Sequence, residues 1–228
     1  MVPYTIQPLS DTSLLITFKH NHPDQLLNYI HHIARRLGEQ RHPSIIDIVP
    51  AFETIMIEYN TSICTFDQMK NVVAPFLEGK NKFKATESIH HSIPICYDEQ
   101  VALDLVELAH AKNMTPKEMI QLHLDTTYKV AIMGFLPGFP YLTGLDNRLH
   151  TPRKSTPRTH VPKGAVGIGG LYTGIYPLSS PGGWNIIGQT PIQLFNPSKA
   201  QPFLFQPGDT LSFYAISIEE LEASDETD

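Results

Sequence analysis

Two Pro-Arg pairs five residues apart, in TPRKSTPRTHVPK (151–163), set Arg153 and Arg158 on a stiff, extended stretch of chain. A planar guanidinium donates two parallel hydrogen bonds to a carboxylate or phosphate, so this spacing suits the wall of an anion pocket; a solvated loop is the alternative. From residue 134 to 191 the charged side chains are Arg148, Arg153, Lys154, Arg158 and Lys163 against Asp146 alone. That local excess of positive charge coincides with loop-borne aromatics. GFLPGFPYLTGL (134–145) carries Phe135, Phe139 and Tyr141 among three glycines and two prolines, a composition that suits neither a helix interior nor a central strand. Such rings can form a pocket wall, a plug under a loop or a docking surface. The sole tryptophan, Trp184, lies in SSPGGWNIIGQTP beside the amides of Asn185 and Gln189, placed either to stack on a ligand or to fill a barrel core.

Other chemistries are excluded by missing patterns. There is no GxxxxGK[ST] and no GxGxxG, so the chain holds no self-contained nucleotide site, and no GxSxG elbow marks a serine nucleophile. Eleven histidines include the adjacent pairs His31-His32 and His90-His91, whose side chains diverge, and no HExxH or Cys/His cluster accompanies them. No metal site is expected. His123, in QLHLD at the end of a predicted helix, stands just before the Gly/Pro loops, where a general base could sit, although a lone histidine there more often caps or packs. Cys64 and Cys96 lack redox or zinc spacing and read as buried thiols.

The elements that must carry these residues fall into two groups. YTIQPL and SLLITF alternate as strands, DQLLNYIHHIARRLG has helical spacing closed by Gly38, IIDIV and TIMIEY alternate again, and TFDQMKNVVAPFLEG reads as a helix capped by Thr65. These predict a small α+β domain over residues 1–85. The polar run GKNKFKATES reads as a linker. Beyond it a second domain, 86–218, opens with the strand SIPICY, the helices VALDLVELAHAKNM and TPKEMIQLHL, and the strand TYKVAIM. From 134 to 191 eleven of the fourteen glycines and eight of the nineteen prolines separate short apolar pieces, as in a β-barrel with long loops. A PGD turn and a last strand follow, and the tail 219–228, with six acids, reads as disordered.

The formal charge of -6 equals the six acids of that tail, which leaves a near-neutral body and argues against nucleic-acid binding. Neither a leader pattern nor a membrane-length apolar run is present, so a cytoplasmic protein is expected, with no membrane partner.

GFLPGFPYLTGL, the two PR pairs, VPKGAVGIGG, GIYP, SPGGWNIIGQTP and the late PGD occur here in one order. In that combination the chain resembles the KipI family, known as the 5-oxoprolinase B subunit, kinase inhibitor KipI or allophanate hydrolase subunit 1. The resemblance implies a small α+β N-terminal domain plus a mainly-β cyclophilin-like barrel. It implies a component, inactive alone, of a complex that hydrolyses 5-oxo-L-proline to L-glutamate with ATP. The implied partners are a KipA-like protein, the C subunit, which completes a composite site, and a LamB/YcsF-like protein, the A subunit. ATP, with Mg, belongs to the complex, and no cofactor to this chain. Family members also suggest inhibition of a sporulation-type histidine kinase, or a carboxyltransferase role related to urea carboxylase and allophanate metabolism. Matching motif positions gives His123 as catalytic and Phe135, Tyr141, Arg153, Arg158, Trp184 and Gln189 as substrate-binding. The chain departs from the family pattern at Lys163-Gly164-Ala165, at Gln189, and before Asp104 in VALDL.

Overall fold

The computed structural model describes residues 2–19, 23–78 and 88–225. The chain divides into two compact units, Met1–Thr86 and Glu87–Asp228. The GKNKFKATES segment lies outside the described residues, apart from Ser88.

In the N-terminal unit the order is β1 (Tyr4–Ser10), β2 (Ser13–Phe18), α1 (Pro23–Glu39), β3 (Ile45–Pro50), β4 (Thr54–Tyr59) and α2 (Phe66–Glu78). The strands form an antiparallel sheet in the order β1-β2-β4-β3. Period-two alternation sends Leu14, Ile16 and Phe18 of β2 and Ile55, Ile57 and Tyr59 of β4 to one buried face. The helices meet that face with Ile30, Ile33 and Leu37 of α1 and Met69, Val73 and Leu77 of α2. Thr65 caps α2 as expected, because its hydroxyl accepts from Gln68 N–H while its own N–H donates to Gln68 Oε1. Gly38 does not cap α1. The helix runs through it to Glu39, and the left-handed residue that turns the chain is Arg41, φ 47°, whose N–H reaches the Gly38 carbonyl at 3.1 Å.

The second unit contains β5 (His90–Cys96), α3 (Leu105–Ala111), α4 (Pro116–Leu124), β6 (Tyr128–Met133), β7 (Pro140–Thr143), β8 (Arg158–Val161), β9 (Ala165–Gly169), β10 (Tyr172–Ile175), β11 (Ser180–Gly182), β12 (Asn185–Gln189), β13 (Thr210–Ile216) and α5 (Ile218–Asp225). Seven strands close a barrel in the order β10-β7-β6-β13-β5-β12-β9, while β8 and β11 form a separate ribbon. An α+β unit followed by a mainly-β barrel unit is the architecture expected from the sequence. Every barrel pairing is antiparallel except β13 with β5, which joins the last barrel strand to the first. α4 opens with a complete capping box between Thr115 and Glu118. Two expectations are corrected. The helix predicted from residue 101 begins only at Leu105: the preceding residues form turns, in which Val101 and Ala102 N–H both donate to the Asp98 carbonyl, and Asp104 at the N-cap makes no side-chain cap. The acidic tail is helical as far as Asp225: Ser217 and Glu220 form a reciprocal cap, and Leu221 is buried. No helix among the described residues is long and apolar enough to cross a membrane.

Candidate functional site

The barrel interior is filled by aliphatic side chains such as Ile95, Val130, Leu142, Val166, Ile168 and Leu211. A second, smaller cluster joins Phe139, Val161, Ala165, Tyr176, Trp184 and Ile186. Above its rings opens a pocket of about 210 Å³, lined by Phe135, Tyr141, Arg153, Tyr176 and Trp184 with Pro157, Pro181, Gly182 and Gly183. That volume lies below the ~300–1,000 Å³ usual for drug-sized ligands and suits a small metabolite.

The sequence builds the aromatic wall from the inside out. In the 134–145 motif Phe139 is buried and meets Trp184 edge-on at 5.3 Å and Tyr176 at 5.1 Å, so it is the plug beneath the loop. Phe135 and Tyr141 form the wall, with Tyr141 at 5.5 Å from the indole. Phe135 holds φ 75°, a left-handed conformation that is strained for a bulky residue, and the residue is 63% exposed at the pocket rim. The loop is tied by Gly134 N–H to the Phe139 carbonyl and Phe139 N–H to the Leu136 carbonyl. Trp184 is seated over Gly169, where a Cβ would fall 2.6 Å from the indole, so only glycine admits the ring there.

The Arg153 guanidinium stands 5.8 Å from the centre of the Trp184 ring, and among the described residues no carboxylate pairs with it. It is the one charged side chain in the pocket lining. Tyr176 is neutral: burial raises its pKa first of all, more than a hydrogen bond from the Trp184 backbone lowers it. Its hydroxyl therefore remains a proton carrier at physiological pH.

The structure brings together Phe135, Tyr141, Arg153 and Trp184 from the expected set, and it places Arg158, Gln189 and His123 elsewhere. Arg158 grips Asp104 bidentately, at 2.8 and 2.7 Å, and Lys154 Nζ adds a third contact at 2.7 Å. Burial alone would raise the Asp104 pKa, but these hydrogen bonds and that of Ile186 N–H hold it below the usual carboxylate range. Gln189 donates from Nε2 to the Lys163 carbonyl at 2.9 Å. His123 is fully buried in the barrel, stacked on Phe213 at 4.7 Å. Thr173 donates its proton to the Gly167 carbonyl, so it accepts from His123 Nε2–H, and Nδ1 accepts from the Tyr97 hydroxyl at 2.7 Å. Burial depresses the His123 pKa to about 3, so it is a neutral core linker at working pH.

Residues that the sequence did not assign to the site are Tyr176, Pro157, Pro181, Gly182 and Gly183 in the pocket and Asp104 behind it. GIYP offered a signal for Tyr176, an aromatic between barrel pieces. Nothing local marks Asp104, whose partners lie 50 and 54 residues further along the chain.

Residues 4–205 match the family described as carboxyltransferase domain, subdomain C and D. The chain is similar to the 5-oxoprolinase B subunit of Bacillus subtilis, with 35% identity over 97% of both chains. It is also similar to the 5-oxoprolinase B subunit of Haemophilus influenzae, with 37% identity over 94% of this chain and 99% of that one. Among solved structures, that of TTHA0988 superimposes with a TM-score of 0.78 at 30% identity over 90% of this chain, which spans 39% of that chain's length. The pocket and its barrel thus sit in a chain that belongs to the carboxyltransferase subdomain C and D family, the KipI-like family of the 5-oxoprolinase B subunits.

Proposed function

We propose that this chain is the B subunit of a 5-oxoprolinase complex, which opens 5-oxo-L-proline to L-glutamate with hydrolysis of ATP, and that its pocket holds the substrate ring. The observation that carries the reading is Arg153: a cation free of any carboxylate partner among the described residues, stacked on Trp184 at a pocket of about 210 Å³. 5-Oxo-L-proline presents one carboxylate and a small lactam ring. Arg153 would pair with the carboxylate, and the faces and edges of Phe135, Tyr141 and Trp184 would pack the ring.

The lining residues include no carboxylate, histidine, cysteine or lysine, so the pocket's work on this side is to bind, orient and exclude water. A lactam is a stable amide and needs activation before water opens it. That step, with the ATP and Mg it uses, falls to the partner proteins, one KipA-like and completing the site, the other LamB/YcsF-like. Among the described residues no group of three or more His, Cys, Asp or Glu side chains is placed to hold a metal ion. No step through Mg is therefore assigned to this chain, which is expected to be inactive alone, in the cytoplasm.

Co-purification of the three proteins, followed by assay of glutamate formed from 5-oxo-L-proline with and without ATP, tests the reading. Turnover that needs all three chains and ATP is expected. Absence of turnover in the full assembly, with this chain alone blocking autophosphorylation of a histidine kinase, would overturn it in favour of a regulatory role.

A further inference from the structure

Between the bridge residue Thr151 and the start of β8 at Arg158, residues 152–157 reach the pocket without regular structure, yet the backbone here is fixed at several points. Thr151 exchanges both backbone hydrogen bonds with Gly170, the Pro152 carbonyl accepts from Asn185 Nδ2 at 3.0 Å, and Lys154 N–H donates to the Gly183 carbonyl at 2.7 Å. Its side chains are fixed by one group. Asp104, 3% exposed, takes Lys154 Nζ and both terminal nitrogens of Arg158 on its two oxygens. The same carboxylate accepts Ile186 N–H at 2.6 Å, and the backbone N–H of Asp104 donates to the Ile186 carbonyl at 2.8 Å. Ile186 is two residues beyond Trp184 on the same stretch of chain. One buried carboxylate therefore ties the cationic wall, 153–158, to the aromatic wall, 184–186. It also pairs with two of three neighbouring cations and leaves Arg153 as the one that lines the pocket.

We propose that Asp104 is a positioning residue for ligand binding, which sets the Arg153 guanidinium against Trp184 by holding both walls in register. It touches no ligand itself. This inference rests on the reading that the Arg153 pocket binds the carboxylate of 5-oxo-L-proline. Asp104→Asn keeps the shape of the side chain but removes the charge that gathers Lys154 and Arg158, and its amide group opposes the donors it must face. The two walls then move independently, and a displacement of about 1 Å at an ion-pairing group is enough to weaken binding severely.

The test uses the assembled three-protein complex, with 5-oxo-L-proline and ATP varied separately. Asp104→Asn is expected to raise KM for 5-oxo-L-proline about tenfold while leaving kcat and KM for ATP within about twofold. Arg158→Lys, which keeps the charge but loses the two-pronged contact, is expected to raise the same KM about threefold. Ile95→Val, a trimmed side chain in the barrel core, serves as the control for lost stability and should leave both KM values in place. Arg153→Ala separates the two readings. If Arg153→Ala raises KM for 5-oxo-L-proline and Asp104→Asn only lowers the thermal midpoint, Asp104 is structural and the positioning role is wrong while the pocket stands. Unchanged KM in both variants sinks the pocket reading and the positioning role together. Should Asp104→Asn fail to fold, Arg158→Lys decides alone, and an unchanged KM overturns the proposal.

Discussion

Arg153 owes its availability to arithmetic among neighbours: three cations lie between residues 153 and 158, and the one buried carboxylate within reach accepts the other two. Removing it as Arg153→Ala should cost the charge-assisted contact with a bound carboxylate, about 1.5–3 kcal/mol, or roughly a 10–150-fold rise in KM for 5-oxo-L-proline. Arg153→Lys should fall between, since a lysine keeps the charge but not the planar face over the indole. Phe135 offers a second test at this scale. Its φ of 75° favours glycine, so Phe135→Gly should be more stable than Phe135→Ala by about 1 kcal/mol in thermal or urea unfolding, while both lose affinity with the ring.

At the scale of elements, β9 and β12 hold the aromatic wall by a fit of glycine against indole. Gly169→Ala puts a methyl group into Trp184, whose nearest atoms would lie 2.6 Å from it. The expected outcome is a folded barrel with an expelled indole, seen as weakened 5-oxo-L-proline binding beside unchanged far-ultraviolet circular dichroism. The capping box of α4 makes a more routine case: Thr115→Ala should lower stability by about 1 kcal/mol in urea unfolding. Elements of this kind were legible because their signals are local. SLLITF alternates in step with a sheet that has one buried face, and TPKE announces a helix start within four residues. The aromatic wall was legible too, since Gly/Pro spacing around Phe135, Tyr141 and Trp184 shows that rings stand on rigid loops. Partnership over long separations was not. Arg158 and Arg153 look alike in PRKSTPR, and only the fold reveals that Asp104 claims one and not the other. His123 looked placed for chemistry because the loops follow it in sequence, but the barrel folds it inward onto Phe213. The tail looked disordered by its charge, and one buried leucine with a reciprocal cap was enough to order a helix.

Across the whole molecule, burial of His123 links stability to pH. Its folded pKa of about 3 lies below the ordinary 6.5, so between those values the unfolded chain binds a proton that the folded barrel refuses. The stability that His123 contributes in its neutral form is full above pH 6.5 and falls as the pH drops toward 3, by roughly 3–5 kcal/mol. His123→Gln should flatten the pH dependence of urea midpoints between about pH 4 and 6. Asp104 acts lower on the scale: its folded pKa is depressed below 3.8, so its contribution is present above that value and lost only as pH falls through the folded one. The parallel pairing of β5 with β13 has a consequence for biosynthesis. His90 pairs with Thr210 and Cys96 with Ile216, so the first barrel strand waits for a strand about 120 residues later before the ring can shut. Ring closure is then a non-local event that waits until residue 216 has been made, and it makes slow folding the expectation. A chain stopped before Thr210 would leave both β5 and β6 with bare backbone edges, and sedimentation of that truncated product should find it in the aggregated fraction.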